Sequence, residues 1–340
     1  MTTTSCPSRG SLLSKLILVA LLVVLTSGCV NLEAPGRFGI YTVSLRGGDL
    51  KPIATDSFRE INHARVSPDK QWITFTRYNK RSLNGLAEEI GGYRETEIML
   101  MRLDGSDMTS LTDTREFQMA ANGYWSPDGK SIIFVGKKTS DTFSRIYLVE
   151  VKTRKVKELP AIPGENLADP HIIGSQVVFT SREEKPKTRN VICLMKLDGS
   201  GARKLTNPKL HNQSPPEPPE GDFDPKLSPD GLKAAFMRHD GKSWRLVVFD
   251  LKTGREQDLS RDMDGDADAV PEWSSDGKLL SFWHVNLKHP QKSGLYTMKP
   301  DGSERKRIRL PEGYFYTMQA FFPDEGSGPD ARIIFSAKKL

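Results

Sequence analysis

The chain has 340 residues, 37% of them hydrophobic and 27% charged, with 49 basic and 43 acidic side chains giving a formal charge of +6. This is the composition of a folded globular protein and excludes a chain dominated by disorder. The basic excess is too small and too scattered for a nucleic-acid-binding surface, and 28 glycines with 22 prolines announce many turns.

Residues 1–28 read as an export signal: Arg9 and Lys15 give a positive start, Leu16 to Leu25 is unbroken apolar sequence, and Thr26, Ser27 and Gly28 are small. The apolar run rises only about 15 Å as a helix, half of the roughly 30 Å hydrocarbon layer, so a permanent span is the weaker reading, with a short signal-anchor as the alternative. Cys29 follows directly. The stretch Leu25-Thr26-Ser27-Gly28-Cys29 resembles a bacterial lipobox, with its leucine one position further from the cysteine than the family places it. That resemblance implies lipidation at Cys29, a lipid anchor into the membrane and a place on the periplasmic side of the cell envelope. Val30 in place of an aspartate favours the outer membrane. Ordinary cleavage near Gly28 is the alternative. Residues 29–37 are then a short tether. With Cys6 removed, only Cys29 and Cys193 remain, and Cys193 lies in the apolar run Val191 to Met195, as a core thiol would.

From residue 38 onward one pattern recurs. Gly39 to Leu45, the turn Arg46-Gly47-Gly48 and Leu50 to Ile53 read as two strands with no partner before them. Then comes an apolar approach, a Ser-Pro-Asp-Gly turn or relative, and a β-rich run: Val66-Ser67-Pro68-Asp69-Lys70 before Trp72 to Phe75, and Trp125-Ser126-Pro127-Asp128-Gly129 before Ile132 to Phe134. Further copies are Leu227-Ser228-Pro229-Asp230-Gly231 and Trp273-Ser274-Ser275-Asp276-Gly277, with degenerate ones at His171 to Ser175 and Phe322-Pro323-Asp324. Proline presets φ at the first corner, aspartate bonds nearby backbone and glycine accepts positive φ, so these residues are expected to be structural.

Each turn is followed by a second β-rich run, a polar turn such as Asp104-Gly105, Asp198-Gly199 or Asp301-Gly302, and a short closing strand. Four antiparallel strands per unit describe a propeller blade. The pattern appears six times, and the last copy stops at Leu340 after its first half, so the unpartnered N-terminal strands are expected to complete it. The expected fold is all-β: a six-bladed β-propeller of four-stranded antiparallel blades over residues 38–340, the last blade closed by N-terminal strands, and monomeric. These units resemble the C-terminal propeller repeat of the TolB family, a WD-repeat-like group of bacterial envelope proteins. TolB itself places an α/β domain before its propeller, for which there is no room between Cys29 and Phe38, so the expectation is a relative of TolB rather than TolB.

Segments just before the turns are expected at the channel mouth, where propellers bind. They contain His63 and Arg65, Asn122 and Tyr124, Asp169 and His171, Asp222 and Asp224, Asp266, Asp268 and Glu272, and Tyr316 and Gln319. A ring of such groups suits a peptide, an ion or a sugar, and equally suits hydrogen bonding to loop backbone. Asp262, Asp264, Asp266 and Asp268 alternate as calcium ligands do, yet the glycine falls at the fourth position and Trp273 at the twelfth, so a solvated acidic loop is the favoured reading and calcium the only cofactor considered. Propeller lyases acting on pectin fragments resemble this chain in repeat type and use a His and Gln metal site, which directs attention to His63, His171 and Gln319; His284 and His289 suit a strand edge. There is no Gly-x-Ser-x-Gly elbow and no glycine-rich phosphate loop. Two long insertions, Asn79 to Thr96 and His211 to Glu220, suit either a partner-facing rim or, in the proline-rich second, a rigid spacer. The expected function is binding of an envelope protein or peptide without enzymatic activity. The alternatives are a metal-assisted sugar lyase or hydrolase at the channel mouth, and a scaffold with no small ligand.

Overall fold

The computed structural model describes residues 38–58, 60–78, 95–160, 166–183, 189–209, 220–260 and 267–340. The signal, Cys29 and the tether lie outside the described residues, as do Asp262, Asp264, Asp266 and nearly all of both long insertions.

The described chain is almost wholly β. Its strands in order are β1 (Phe38–Ser44), β2 (Lys51–Phe58), β3 (Ile61–Val66), β4 (Trp72–Tyr78), β5 (Thr96–Arg102), β6 (Thr109–Ser110), β7 (Phe117–Trp125), β8 (Ser131–Lys138), β9 (Arg145–Glu150), β10 (Val156–Glu158), β11 (Asn166–Ile173) and β12 (Gln176–Glu183). There follow β13 (Arg189–Lys196), β14 (Arg203–Lys204), β15 (Gly221–Leu227), β16 (Lys233–His239), β17 (Trp244–Asp250), β18 (Glu256–Asp258), β19 (Ala267–Trp273), β20 (Leu280–Val285), β21 (Gly294–Met298), β22 (Lys306–Arg307), β23 (Tyr314–Phe321) and β24 (Arg332–Lys339). The described helix is one 3-10 turn at Pro290–Lys292.

These strands make small antiparallel sheets in a propeller arrangement. Four sheets are four-stranded: β3 to β6, β7 to β10, β19 to β22, and β2-β1-β24-β23, in which β1 runs antiparallel to β24 from Phe38 opposite Lys338 to Ser44 opposite Arg332. The N-terminal strands therefore complete the sheet that the C-terminal strands begin, covering edges that an open sheet would expose. The expectation of six separate four-stranded blades needs correction at one place. β11 to β18 form a single eight-stranded sheet, because β13 meets β15 in a parallel pairing of Asn190 with Gly221. Gly221 has φ of +128°, and a Cβ there would fall 2.4 Å from the Asn190 carbonyl oxygen, so only glycine allows this approach.

The turns are held as their chemistry dictates. In four copies the serine hydroxyl donates to the aspartate two residues on: Ser67 to Asp69 at 2.5 Å, Ser126 to Asp128 at 2.6 Å, Ser228 to Asp230 at 2.6 Å and Ser274 to Asp276 at 2.7 Å. The same hydroxyls accept the amides of Trp72, Ser131, Lys233 and Leu279, where the next strand starts. One side chain thus fixes both the turn and the register that follows it.

Between turns, the strands alternate apolar residues toward the neighbouring sheets, and the core is a series of layers between sheets. One layer packs Ile40, Ile334 and Phe322 against Ile73, Phe75 and Met99. Another sets Tyr124 and Ile133 against Leu167, Phe179 and Cys193, which is fully buried. Innermost in each set of strands are β3, β7, β11, β15, β19 and β23, which neighbour one another in a closed circuit back to β3.

Candidate functional site: a polar cluster joining the innermost strands

Every innermost strand carries a β-bulge shortly before its turn, seen as a register shift between Asn62 and Arg65, Ala121 and Tyr124, Ala168 and His171, Phe223 and Lys226, Ala269 and Glu272, and Tyr316 and Gln319. In five of them the first bulged residue has positive φ although it is not glycine: His63 (56°), Asn122 (54°), Asp169 (49°), Asp224 (50°) and Val270 (57°). A β-branched valine in that region is an outlier, and a following proline, as after Asp169, Asp224 and Val270, restricts the residue further. The bulge re-aims the side chains on either side of it, and the residues two positions beyond meet those of other sheets.

At the centre of these contacts lies Glu272 on β19. Its Oε1 accepts from Arg65 Nη2 on β3 at 2.7 Å and from the Tyr124 hydroxyl on β7 at 2.6 Å. Arg65 also donates to that hydroxyl and lies 4.3 Å from the Tyr124 ring centroid. Lys226 on β15, fully buried, is paired with Asp224 and sits 5.1 Å from the same ring, which His171 meets edge-on at 4.8 Å. Next to this, Asp169 accepts the Asn122 amide at 2.7 Å, the Thr180 hydroxyl at 3.2 Å and the Asp224 backbone N–H at 3.4 Å. Gln319 donates to the Val270 carbonyl at 2.7 Å. Arg65, Asn122, Tyr124, Lys226, Glu272 and Gln319 are all buried, and Asp169 and His171 are half-buried.

Burial opposes the charges, and pairing decides which survive. Burial pushes the Glu272 carboxyl up, with Arg65 and Lys226 pulling against it. For Arg65 and Lys226 burial is outweighed by Glu272 and Asp224 respectively, so both stay cationic. Burial, then the nearby Arg65 and Lys226 charges, hold His63 and His171 well below the usual histidine value, so both are neutral. The Leu227 amide donates to His171 Nδ1 at 3.1 Å, which places the neutral ring's proton on Nε2. Burial and the Asp224 carboxylate push Asp169 up to about 6.

Three of the expected mouth residues belong elsewhere. Asp222 is held by Arg238 at 2.6 and 2.9 Å within the eight-stranded sheet. Asp268 accepts from Arg305 at 2.6 and 2.9 Å and from the Ser260 hydroxyl at 2.8 Å, with His284 Nδ1 at 2.9 Å. Tyr316 donates to the Pro311 carbonyl at 2.7 Å and packs among Trp283, Tyr314 and Phe335. Conversely, Lys226 was not anticipated. It stands two residues before the turn serine, as Arg65, Tyr124 and Glu272 do, and aligning the copies on that serine finds it.

Among the described residues no group of three or more His, Cys, Asp or Glu side chains is arranged to hold a metal ion. His171 Nδ1 accepts the Leu227 amide, and Gln319 Nε2 donates to the Val270 carbonyl. Among the described residues no helix is long and apolar enough to cross a membrane.

No protein-family model matches the chain. The Tol-Pal system protein TolB of Francisella tularensis is 25% identical over 249 residues, 72% of this chain and 48% of its own length, so the chain spans about half the length of the curated relatives it matches. A solved structure from Agrobacterium tumefaciens assigned as TolB superposes with a TM-score of 0.66 at 13% identity, covering 90% of this chain and all of that one. An oligogalacturonate lyase in complex with manganese superposes with a TM-score of 0.52 at 14% identity over 87% of this chain and 79% of its own. In sequence and in fold, the repeats of this chain are similar to those of the TolB-type β-propellers.

Proposed function

We propose that this protein is a lipid-anchored envelope propeller of six blades that binds a protein or peptide at the end of its ring of innermost strands and along its rim. The observation that carries the reading is the likeness to the TolB-type repeat in both sequence and fold; the relative is named as a protein of the Tol-Pal system. Six innermost strands in a closed circuit support the count of six, with the eight-stranded sheet taken as two blades joined at Asn190 and Gly221. Export, lipidation at Cys29 and a periplasmic place at the outer membrane accompany this reading on the strength of residues 1–30. Binding alone, without catalysis, suits a cluster in which Glu272 accepts from Arg65 and Tyr124 and Lys226 is paired with Asp224.

Affinity capture from solubilised envelope tests it, comparing the mature protein with an Asp169→Ala/His171→Ala variant of unchanged circular dichroism. The expected result is one defined protein captured by the wild type and lost in the variant. Identical capture by both, or by an unrelated lipoprotein of the same anchor, overturns it. A second reading, metal-assisted cleavage of acidic sugars, is favoured by the likeness to the manganese-bound lyase. It requires manganese-dependent turnover of oligogalacturonate that a chelator abolishes.

A further inference from the structure

Four buried polar atoms of the central cluster have no hydrogen-bond partner among the described residues: Asn122 Oδ1, Asp224 Oδ2, Gln319 Oε1 and Arg65 Nε. Three of the four are acceptors. Asn122 and Asp224 are 4% and 8% exposed and are bridged by Asp169, which takes the Asn122 amide on one oxygen and the Asp224 backbone on the other. Asp169 is half-buried, so it forms the approachable edge of this group. Nearby cations balance only one of its two carboxylates. Lys226 is committed to Asp224 Oδ1, and Arg65 to Glu272 and Tyr124. A buried acceptor without a partner is destabilising, so a complementary donor group binding here recovers that loss.

Compactness, positive charge and several N–H donors together describe a primary ammonium, which offers three donors around one atom. A guanidinium is planar and prefers the paired oxygens of one carboxylate, whereas here the acceptors belong to different strands. We infer that Asn122, Asp169 and Asp224 form an anchor for a primary ammonium group of the bound polypeptide, a lysine side chain or a chain terminus. The ammonium donates to Asn122 Oδ1 and Asp224 Oδ2 and lies against the Asp169 carboxylate. The inference rests on the partner-binding reading above and specifies the chemistry of its anchor point.

The test is calorimetric titration of the full chain at pH 7.5 with n-butylammonium chloride, with tetramethylammonium chloride as a cation lacking donors, and with calcium chloride. Saturable binding of n-butylammonium is expected, with at least tenfold weaker binding of tetramethylammonium. Asp169→Asn should weaken n-butylammonium binding about tenfold, and Asn122→Asp, which adds a carboxylate at the same place, should strengthen it. Acetyl-Gly-Lys-Gly-amide and Gly-Gly-Gly-amide then separate a side-chain from a terminal ammonium. Equal binding of both organic cations, binding of calcium alone, or no effect of either variant overturns the inference. Should the wild type capture its envelope partner yet bind no ammonium, the anchor falls and the partner reading stands; failure of capture itself counts against that reading.

Discussion

Tyr124 donates a 2.6 Å hydrogen bond to Glu272, a residue 148 positions away in another sheet, and the carboxylate oxygen that receives it also takes Arg65 from a third. The centre of the propeller is therefore bridged by charged side chains rather than merely lined by them. Arg65 and Glu272 side chains are 7% and 8% exposed, so each charge depends on the other for its solvation.

Breaking that pair on one side should cost far more than replacing both partners. Glu272→Met alone strands a buried guanidinium and is expected to destabilise by about 3–5 kcal/mol. Arg65→Met with Glu272→Met should cost less than the two single changes added, with a coupling of about 0.5–3 kcal/mol in urea unfolding. Strictly additive effects would show that the two residues do not support each other.

The turn serines offer a simpler case. Ser126→Ala removes both the bond to Asp128 and the acceptor for the Ser131 amide, and should cost about 1–3 kcal/mol. Ser106→Ala, in an exposed turn on Asp104, should stay within about 0.5 kcal/mol. Equal losses at the two sites would refute the structural role assigned to the Ser-Pro-Asp-Gly turns.

Gly221→Ala tests the join between β13 and β15. The added Cβ would lie 2.4 Å from the Asn190 oxygen and 2.6 Å from its nitrogen, at a φ of +128°. A loss of at least about 1 kcal/mol is expected, with faster hydrogen exchange at Asn190, whose amide donates to the Glu220 carbonyl. Unchanged exchange there would mean that the two strands do not depend on this approach.

The pH dependence of stability follows from signs alone. Asp169 has a folded value of about 6, above its ordinary 3.8, so its contribution is fully present below pH 4 and is lost as pH rises through 6. His63 and His171 are depressed, so theirs is present above pH 6.5 and is lost as pH falls below it. Groups facing Asp169 are Asp224, Lys226, Asn122 and Thr180. Asp169→Asn should therefore steepen the loss of stability between pH 6 and 4, and His171→Gln should lessen it, each by no more than about 1.4 kcal/mol per pH unit. Superimposable pH profiles for the three proteins would refute these assignments.

Most of the fold was legible in the chain itself because its determinants are local. A turn of serine, proline, aspartate and glycine needs only its own backbone, and the alternation after it needs only a face to bury. The missing half-unit at Leu340 and the spare strands at Gly39 and Leu50 also pointed to each other without coordinates, and β1 does pair with β24. Likewise the positions that meet at the centre recur at constant spacing before the turn serine.

What the chain could not disclose depends on partners distant in sequence. Asp222, Asp224 and Asp268 look alike as carboxylates before a turn, yet Asp222 is matched to Arg238 and Asp268 to Arg305 and His284, while Asp224 meets Lys226 and Asp169. A bulge decides between these outcomes, since one extra residue re-aims the side chains that follow it. The joining of two sheets at Asn190 and Gly221 is equally invisible, because it needs two backbones to approach within a distance only glycine permits. Local chemistry determined the turns, the strands and their closure; the tertiary structure alone decided which buried charges face each other, because desolvation and pairing are properties of the assembled centre and of no single segment.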